Sequence, residues 1–142
     1  MKVAYNIFTE KVQKLNDLAL LFLRLILAYG FYEPVMNKIG NVNAIGEWFA
    51  SMNYPLPLLN AYLATATELA GVILLILGLG TRLISIPLMI VMLVAIFTVH
   101  IGNGFAAGDN GFEIPFYYFL MLFALMAFGA GKYSIDYILK KK

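Results

Sequence analysis

The stretch from Leu83 to Ile101, LISIPLMIVMLVAIFTVHI, contains no charged residue. As a helix it is about 29 Å long, close to the roughly 30 Å of a bilayer's hydrocarbon core. Three further apolar stretches have similar character: about 18–39, 58–79 and 112–128, the last being short. Hydrophobic residues make up 62% of the 142-residue chain and charged residues 13%, against roughly 45–50% and about 25% in ordinary soluble domains. A soluble domain of this size has too much surface for its volume to hide that apolar content. Lipid removes the problem. The sequence therefore predicts an all-α integral membrane protein: a four-transmembrane-helix bundle in which residues 1–142 form one membrane domain with the bilayer as its principal partner.

The segments between the spans have their own periodicity. Over 1–16, Val3, Ile7, Phe8, Val12 and Leu15 share one helical face, with Lys2, Glu10, Lys11 and Lys14 on the other, as in a helix lying at the membrane surface. These charges run through the stretch where a cleaved leader would need its apolar region. Ile45, Trp48, Phe49 and Met52 stand at i, i+3, i+4 and i+7 and predict a second interfacial helix in the first outer loop, with Trp48 at headgroup level. Eight of the ten basic residues lie before the first span, between the second and third, or in the tail 129–142. An excess of Lys and Arg marks the cytoplasmic side, so both termini are expected there.

Composition also excludes chemistry. With no cysteine, thiol relays, thiolate metal sites and iron–sulfur clusters are ruled out within the chain. A single histidine, His100, argues against a conventional metal cluster, and no metal site is assigned. The net charge of +2, with lysines mainly at the ends, lacks the basic stripe a nucleic-acid partner requires.

Charged residues at membrane depth cost at least about 2.5–3.5 kcal/mol each on insertion scales, so Arg24 and Glu68 require an explanation. Glu68 shares a face with the small residues Ala61, Ala64, Thr65, Gly71 and Gly78, and small faces turn toward neighbouring helices. Glu68 is thus expected to point into the bundle, where an ion pair with Arg24 would relieve both charges. Such a pair serves equally to set helix register or to organise a ligand site. His100, at the outer end of the third span, is either a boundary residue or a proton carrier with a near-neutral reference pKa. Glu33, Lys38, Asn103, Asp109 and Glu113 should lie at a similar level. The candidate catalytic residues are His100 and Glu68. The candidate ligand-binding residues are Arg24, Lys38, Glu68, His100, Asn103 and Glu113. A histidine and carboxylates beside an apolar bundle suit a quinone headgroup and proton transfer to it. The tail has a structural reading: Gly129 and Gly131 end the fourth helix with positive φ, and Ser134 caps a short turn holding Asp136.

Four pieces of the chain, in order, resemble the DoxX family of small bacterial and archaeal membrane proteins. They are Arg24, Phe31 and Lys38 in the first span, and ELAGVILLILGLGTR with Glu68, Gly71, Gly78, Thr81 and Arg82. His100 with the NGF of Asn103 to Phe105, and GAGKYSID from Gly129 to Asp136, complete the set. Ala130 and Lys132 stand where the family often has proline and arginine, and Val35 where it often has glycine. The resemblance implies a four-helix membrane bundle and, more loosely, membrane redox chemistry, since relatives include a quinone-reducing subunit and a component of an oxidative-stress complex. Three readings follow: a subunit of a quinone-coupled oxidoreductase working with a redox partner protein, a non-catalytic anchor or stabilising partner for another protein, or a small transporter of an amphipathic ligand, with a homo-oligomer as a further candidate assembly.

Overall fold

The structure is a computed structural model that describes residues 2–141. Met1 and Lys142, and the side chains of Lys2 and Val3 on the expected N-terminal amphipathic face, lie outside that description. Among the described residues seven α-helices follow one another: α1 (Lys2–Gln13), α2 (Asn16–Ile39), α3 (Val42–Ser51), α4 (Pro57–Leu77), α5 (Thr81–Ala95), α6 (Glu113–Phe128) and α7 (Ile135–Lys140). No strand occurs among the described residues. A π-turn, Ile96–His100, and a 3₁₀ turn, Ile101–Asn103, prolong α5. Three helical stretches are long and apolar enough to cross a membrane: Asn16–Ile39, Pro57–Leu77 and Thr81–Asn103. The fourth apolar helix, α6, has 16 residues, about 24 Å.

These four helices close into a ring, α2 against α4, α4 against α5, α5 against α6, and α6 back against α2. The core is assembled from one stripe of each: Leu27, Ala28, Phe31 and Val35 of α2, Val72 and Leu75 of α4, Ile84, Leu88 and Met92 of α5, and Leu122 and Leu125 of α6. The small-residue face of α4 points inward as its spacing predicts, with Ala61, Thr65, Glu68, Gly71 and Gly78 all buried. At Gly71 a Cβ would meet both methyls of Leu88 at 2.8 Å, so α5 approaches as closely as it does only because this position carries no side chain. The outward faces are uncovered apolar surface, including Phe22, Ile26, Ile73, Leu83, Ile90, Phe97, Phe123 and Phe128.

The helix ends follow local rules. Gly78 (φ 65°) and Gly80 (φ 59°) turn the chain sharply from α4 into α5. Gly129 (φ 87°) and Gly131 (φ 78°) end α6 as expected, and Ser134 starts α7 by accepting from the Tyr137 amide at 3.2 Å. α2 continues through Pro34 to Ile39. α1 leaves Ile7, Phe8, Val12 and Leu15 exposed, the bare apolar face expected of an interfacial helix. One loop departs from expectation. α3 folds down onto α4 rather than only lying at the surface, because Gly46 admits Leu58: a Cβ there would be 3.0 Å from a Leu58 methyl and 3.2 Å from its Cα.

Gly71→Leu should therefore lower the thermal unfolding midpoint in detergent, followed by circular dichroism, by an overpacking penalty of about 1–3 kcal/mol. Gly102→Leu, where an added Cβ meets nothing within 4 Å, should leave the midpoint unchanged.

Candidate functional site

Arg24 and Glu68 are both buried, 0% and 2% exposed, yet they do not pair. The Arg24 guanidinium donates through Nη1 to the carbonyls of Leu75 (2.9 Å) and Ile76 (3.3 Å) and through Nη2 to the carbonyl of Tyr133. Glu68 instead receives Lys38, whose Nζ lies 2.7 and 2.8 Å from the two carboxylate oxygens. The expected Arg24–Glu68 ion pair is thus replaced by two separate arrangements, and helix registry explains why. Arg24 is level with the C-terminal turn of α4, where orphan carbonyls and the negative end of the helix dipole attract a cation. Glu68 lies seven residues earlier, about 10 Å further along α4. Lys38 lies fourteen residues beyond Arg24, about 21 Å along α2. The remaining offset of about 10 Å is spanned by the long lysine stem and the glutamate side chain together.

The lower arrangement is a structural knot. Gly78 lies so close to Arg24 that a Cβ there would strike Nη1. The Asp136 carboxylate accepts from the amides of Gly80 (2.7 Å) and Thr81 (3.0 Å), placing a negative charge at the N-terminus of α5. The Asp136 amide donates to the Gly78 carbonyl at 3.0 Å. Asp17, at the start of α2, accepts from the Lys132 amide (3.0 Å) and pairs with its Nζ (3.3 Å). Arg24, Gly78, Thr81, Ser134 and Asp136, scattered over the sequence, converge here to tie the tail to α2 and to the α4–α5 turn.

The upper arrangement is a cavity of about 790 Å³ running from α3 and the π-turn after α5 to the Lys38–Glu68 pair. Its walls are mostly apolar, with Phe31, Trp48, Phe49, Leu63, Ile90 and Met92 among them, and its polar groups include Lys38, Asn60, Thr67, Glu68, His100 and Tyr118. Tyr118 rests edge-on against Phe31 (5.5 Å between centroids) and fills the notch left by Gly30, where a Cβ would strike its hydroxyl. That hydroxyl has no hydrogen-bond partner among the described residues. Pro34, also in the wall, carries no N–H and so leaves the Gly30 carbonyl without its helical donor. The π-turn, a wider winding found often at functional sites, brings Thr98, Val99 and His100 to the cavity together. His100 Nδ1 is 2.9 Å from the Asn110 carbonyl. A carbonyl only accepts, so Nδ1 is the donor in this contact.

Of the predicted site residues, Lys38, Glu68 and His100 line this cavity, whereas Arg24, Asn103 and Glu113 do not. Asn103 donates to the Asn110 carbonyl (3.2 Å), and Glu113 accepts from the Ala107 amide (2.9 Å) and the Tyr117 hydroxyl (3.1 Å). Both brace the loop between α5 and α6, because a glycine-rich segment without regular structure needs side chains to satisfy its backbone. Trp48, expected at headgroup level, lines the cavity because α3 folds inward. Sequence reasoning missed the role of Tyr118, whose only signal was a bulky polar aromatic opposite Gly30. Among the described residues no three His, Asp or Glu side chains gather as a metal-holding group.

The DoxX family model matches residues 19–101, from the first turns of α2 to the end of the π-turn. The chain belongs to the DoxX family. Its relatives include two uncharacterised proteins of Haemophilus influenzae. One is 35% identical over 134 residues, covering 89% of this chain and 86% of the relative. The other is 32% identical over 138 residues, covering 89% and 95%. No solved structure matches the chain. The DoxX match takes in both Arg24 and the Lys38–Glu68 pair, so the family region contains the knot's central cation and the floor of the cavity. With the three long apolar helices, it makes this a membrane protein in contact with the bilayer.

Double-mutant cycles on unfolding in detergent separate the two arrangements. Lys38→Met and Glu68→Gln should be coupled by about 0.5–3 kcal/mol, whereas Arg24→Met and Glu68→Gln should add to within about 0.5 kcal/mol. Arg24→Met alone should destabilise by about 1–3 kcal/mol for each buried carbonyl left without a donor.

Proposed function

We propose that this DoxX protein is the membrane subunit of a redox complex and that its cavity holds a quinone headgroup against Lys38 and Glu68. The observation that supports this most directly is the Lys38–Glu68 pair, a strong donor beside a strong acceptor, at the inner end of an apolar cavity of about 790 Å³. Ligand sites of this kind combine apolar walls with a few placed polar groups. A headgroup carbonyl would accept from the Lys38 ammonium or the Tyr118 hydroxyl, and a headgroup hydroxyl would donate to the Glu68 carboxylate. The apolar walls suit an isoprenoid chain. His100, held through Nδ1 by the Asn110 carbonyl, stands where the cavity nears the outer loops. The quinone would supply the redox chemistry, and the electrons would come from a partner protein, because the chain carries no cysteine and none of its side chains is an obvious electron carrier. The role of this chain is to bind and orient the headgroup, exclude water and move protons.

In the same reading the bundle crosses the bilayer four times. α6 spans with help from the loop before it, and the termini face the cytoplasm of a bacterial or archaeal cell. The lysines and Arg82 at one end of the bundle support that orientation. Protein purified in mild detergent should carry extractable quinone. Tyr118→Phe and Glu68→Gln should weaken quinone binding by roughly 10-fold each, the value of one good hydrogen bond to a buried polar group, with Tyr118→Phe leaving the unfolding midpoint in place. If wild-type protein neither contains nor binds a quinone, while native mass spectrometry shows a different amphipathic molecule in the cavity, the redox reading gives way to ligand transport. Asn103→Ala, outside the cavity, should leave quinone affinity unchanged.

A further inference from the structure

The opposite end of the bundle holds a second recess that the quinone reading does not use. It has a volume of about 420 Å³ and lies between the start of α5, the end of α6 and the tail. Five charged side chains line it, and their partners determine its sign. Asp136 is engaged by the Gly80 and Thr81 amides, and Asp17 by Lys132. Arg82 and Lys140 form no ion pair and no side-chain hydrogen bond among the described residues. The two carboxylates are therefore already satisfied and the surplus charge in the recess is positive. The amides of Ala130 and Gly131, in the same wall, also donate no hydrogen bond among the described residues. Glycine keeps the recess open: a Cβ on Gly129 would lie 3.1 Å from Arg82 Nε.

Beside these cations the surface is apolar. Leu83, next in sequence to Arg82, is 75% exposed, and Phe128, the last residue of α6, is 73% exposed. Both line the recess, and both belong to the uncovered belt of the bundle. A free anion would use the charges and leave these two side chains bare. An amphiphile would use both features at once.

We propose that this recess binds the phosphate headgroup of an anionic phospholipid, with Arg82 and Lys140 neutralising the phosphate and Leu83 and Phe128 contacting the first carbons of its acyl chains. Basic pockets between helices at one membrane surface recognise such headgroups, each Lys or Arg contributing about fivefold in affinity. The site would attach the tail knot to the lipid surface and is independent of what the cavity at the other end holds.

Native mass spectrometry of the full chain in detergent tests this, with added phosphatidylglycerol compared against phosphatidylcholine of the same acyl chains. The wild type should bind phosphatidylglycerol more tightly. Arg82→Gln and Lys140→Gln should each weaken it about fivefold and together about 30-fold, with phosphatidylcholine affinity unmoved. The charge-retaining pair Arg82→Lys and Lys140→Arg should keep the preference, and equal helicity by circular dichroism would show that no variant has lost its fold. Were the glutamine variants to misfold, loss of the wild-type preference at high salt would serve as the second measurement. Equal affinity of the wild type for the two lipids would overturn the proposal, as would full phosphatidylglycerol affinity in the doubly substituted protein. Inorganic phosphate binding as tightly as the lipid would also overturn it, by assigning the recess to a free anion.

Discussion

A single guanidinium at the end of a neighbouring helix holds the lower half of this molecule together. α4 ends with Leu75 and Gly78 buried, leaving carbonyl groups with no intrahelical donor. Arg24 reaches them from α2 and holds the Tyr133 carbonyl of the tail with its other nitrogen. The arrangement works only because position 78 has no side chain, so the C-cap glycine that turns the chain also makes room for the cation. Asp136 completes the complementary half at the N-terminus of α5. A cation at a helix C-terminus and an anion at the next N-terminus are each favoured by the backbone dipoles, and together they lock one tight turn to two distant segments.

This division of labour releases the other charged group for a different task. Had Arg24 paired with Glu68, the carboxylate would be satisfied deep in the bundle, with Lys38 left at the surface. Because Arg24 is committed to main-chain carbonyls, Glu68 draws Lys38 inward from the outer end of α2. The resulting pair lies at the inner end of an apolar cavity. A buried ion pair adds little net stability over apolar residues of similar volume, and what this one fixes is the register of α2 against α4. The α4–α5 knot and the cavity floor are therefore linked through the register of α2 and α4.

Much of this was legible in the sequence. The length of the apolar runs, the inward face of α4, the glycine endings of α4 and α6, the cap at Ser134 and the family likeness all follow from local spacing or composition, and local rules reveal such features. The two halves of the site were not equally readable. Lys38, Glu68 and His100 emerged as candidates because ionisable groups near apolar segments are conspicuous. Their partners did not, since three residues competed for two arrangements. The choice between them depended on where α4 stops, at Leu77 followed by a left-handed Gly78 rather than at Leu79. That Asn103 and Glu113 lie outside the cavity was not readable either, for a related reason. Polar residues in a glycine-rich loop look the same in sequence whether they face a cavity or brace the loop's own backbone.

By itself the sequence determined that this chain is helical, that its apolar faces require a bilayer, and that Glu68 turns away from lipid, because hydropathy and helical periodicity are properties of consecutive residues. Only the tertiary structure decided which charge meets which, that α3 folds down to wall a cavity, and that Tyr118 enters the space beside Gly30. Those outcomes depend on the relative register of helices far apart in the chain. A shift of one or two turns, about 5–10 Å, exchanges one partner for another without altering any local pattern.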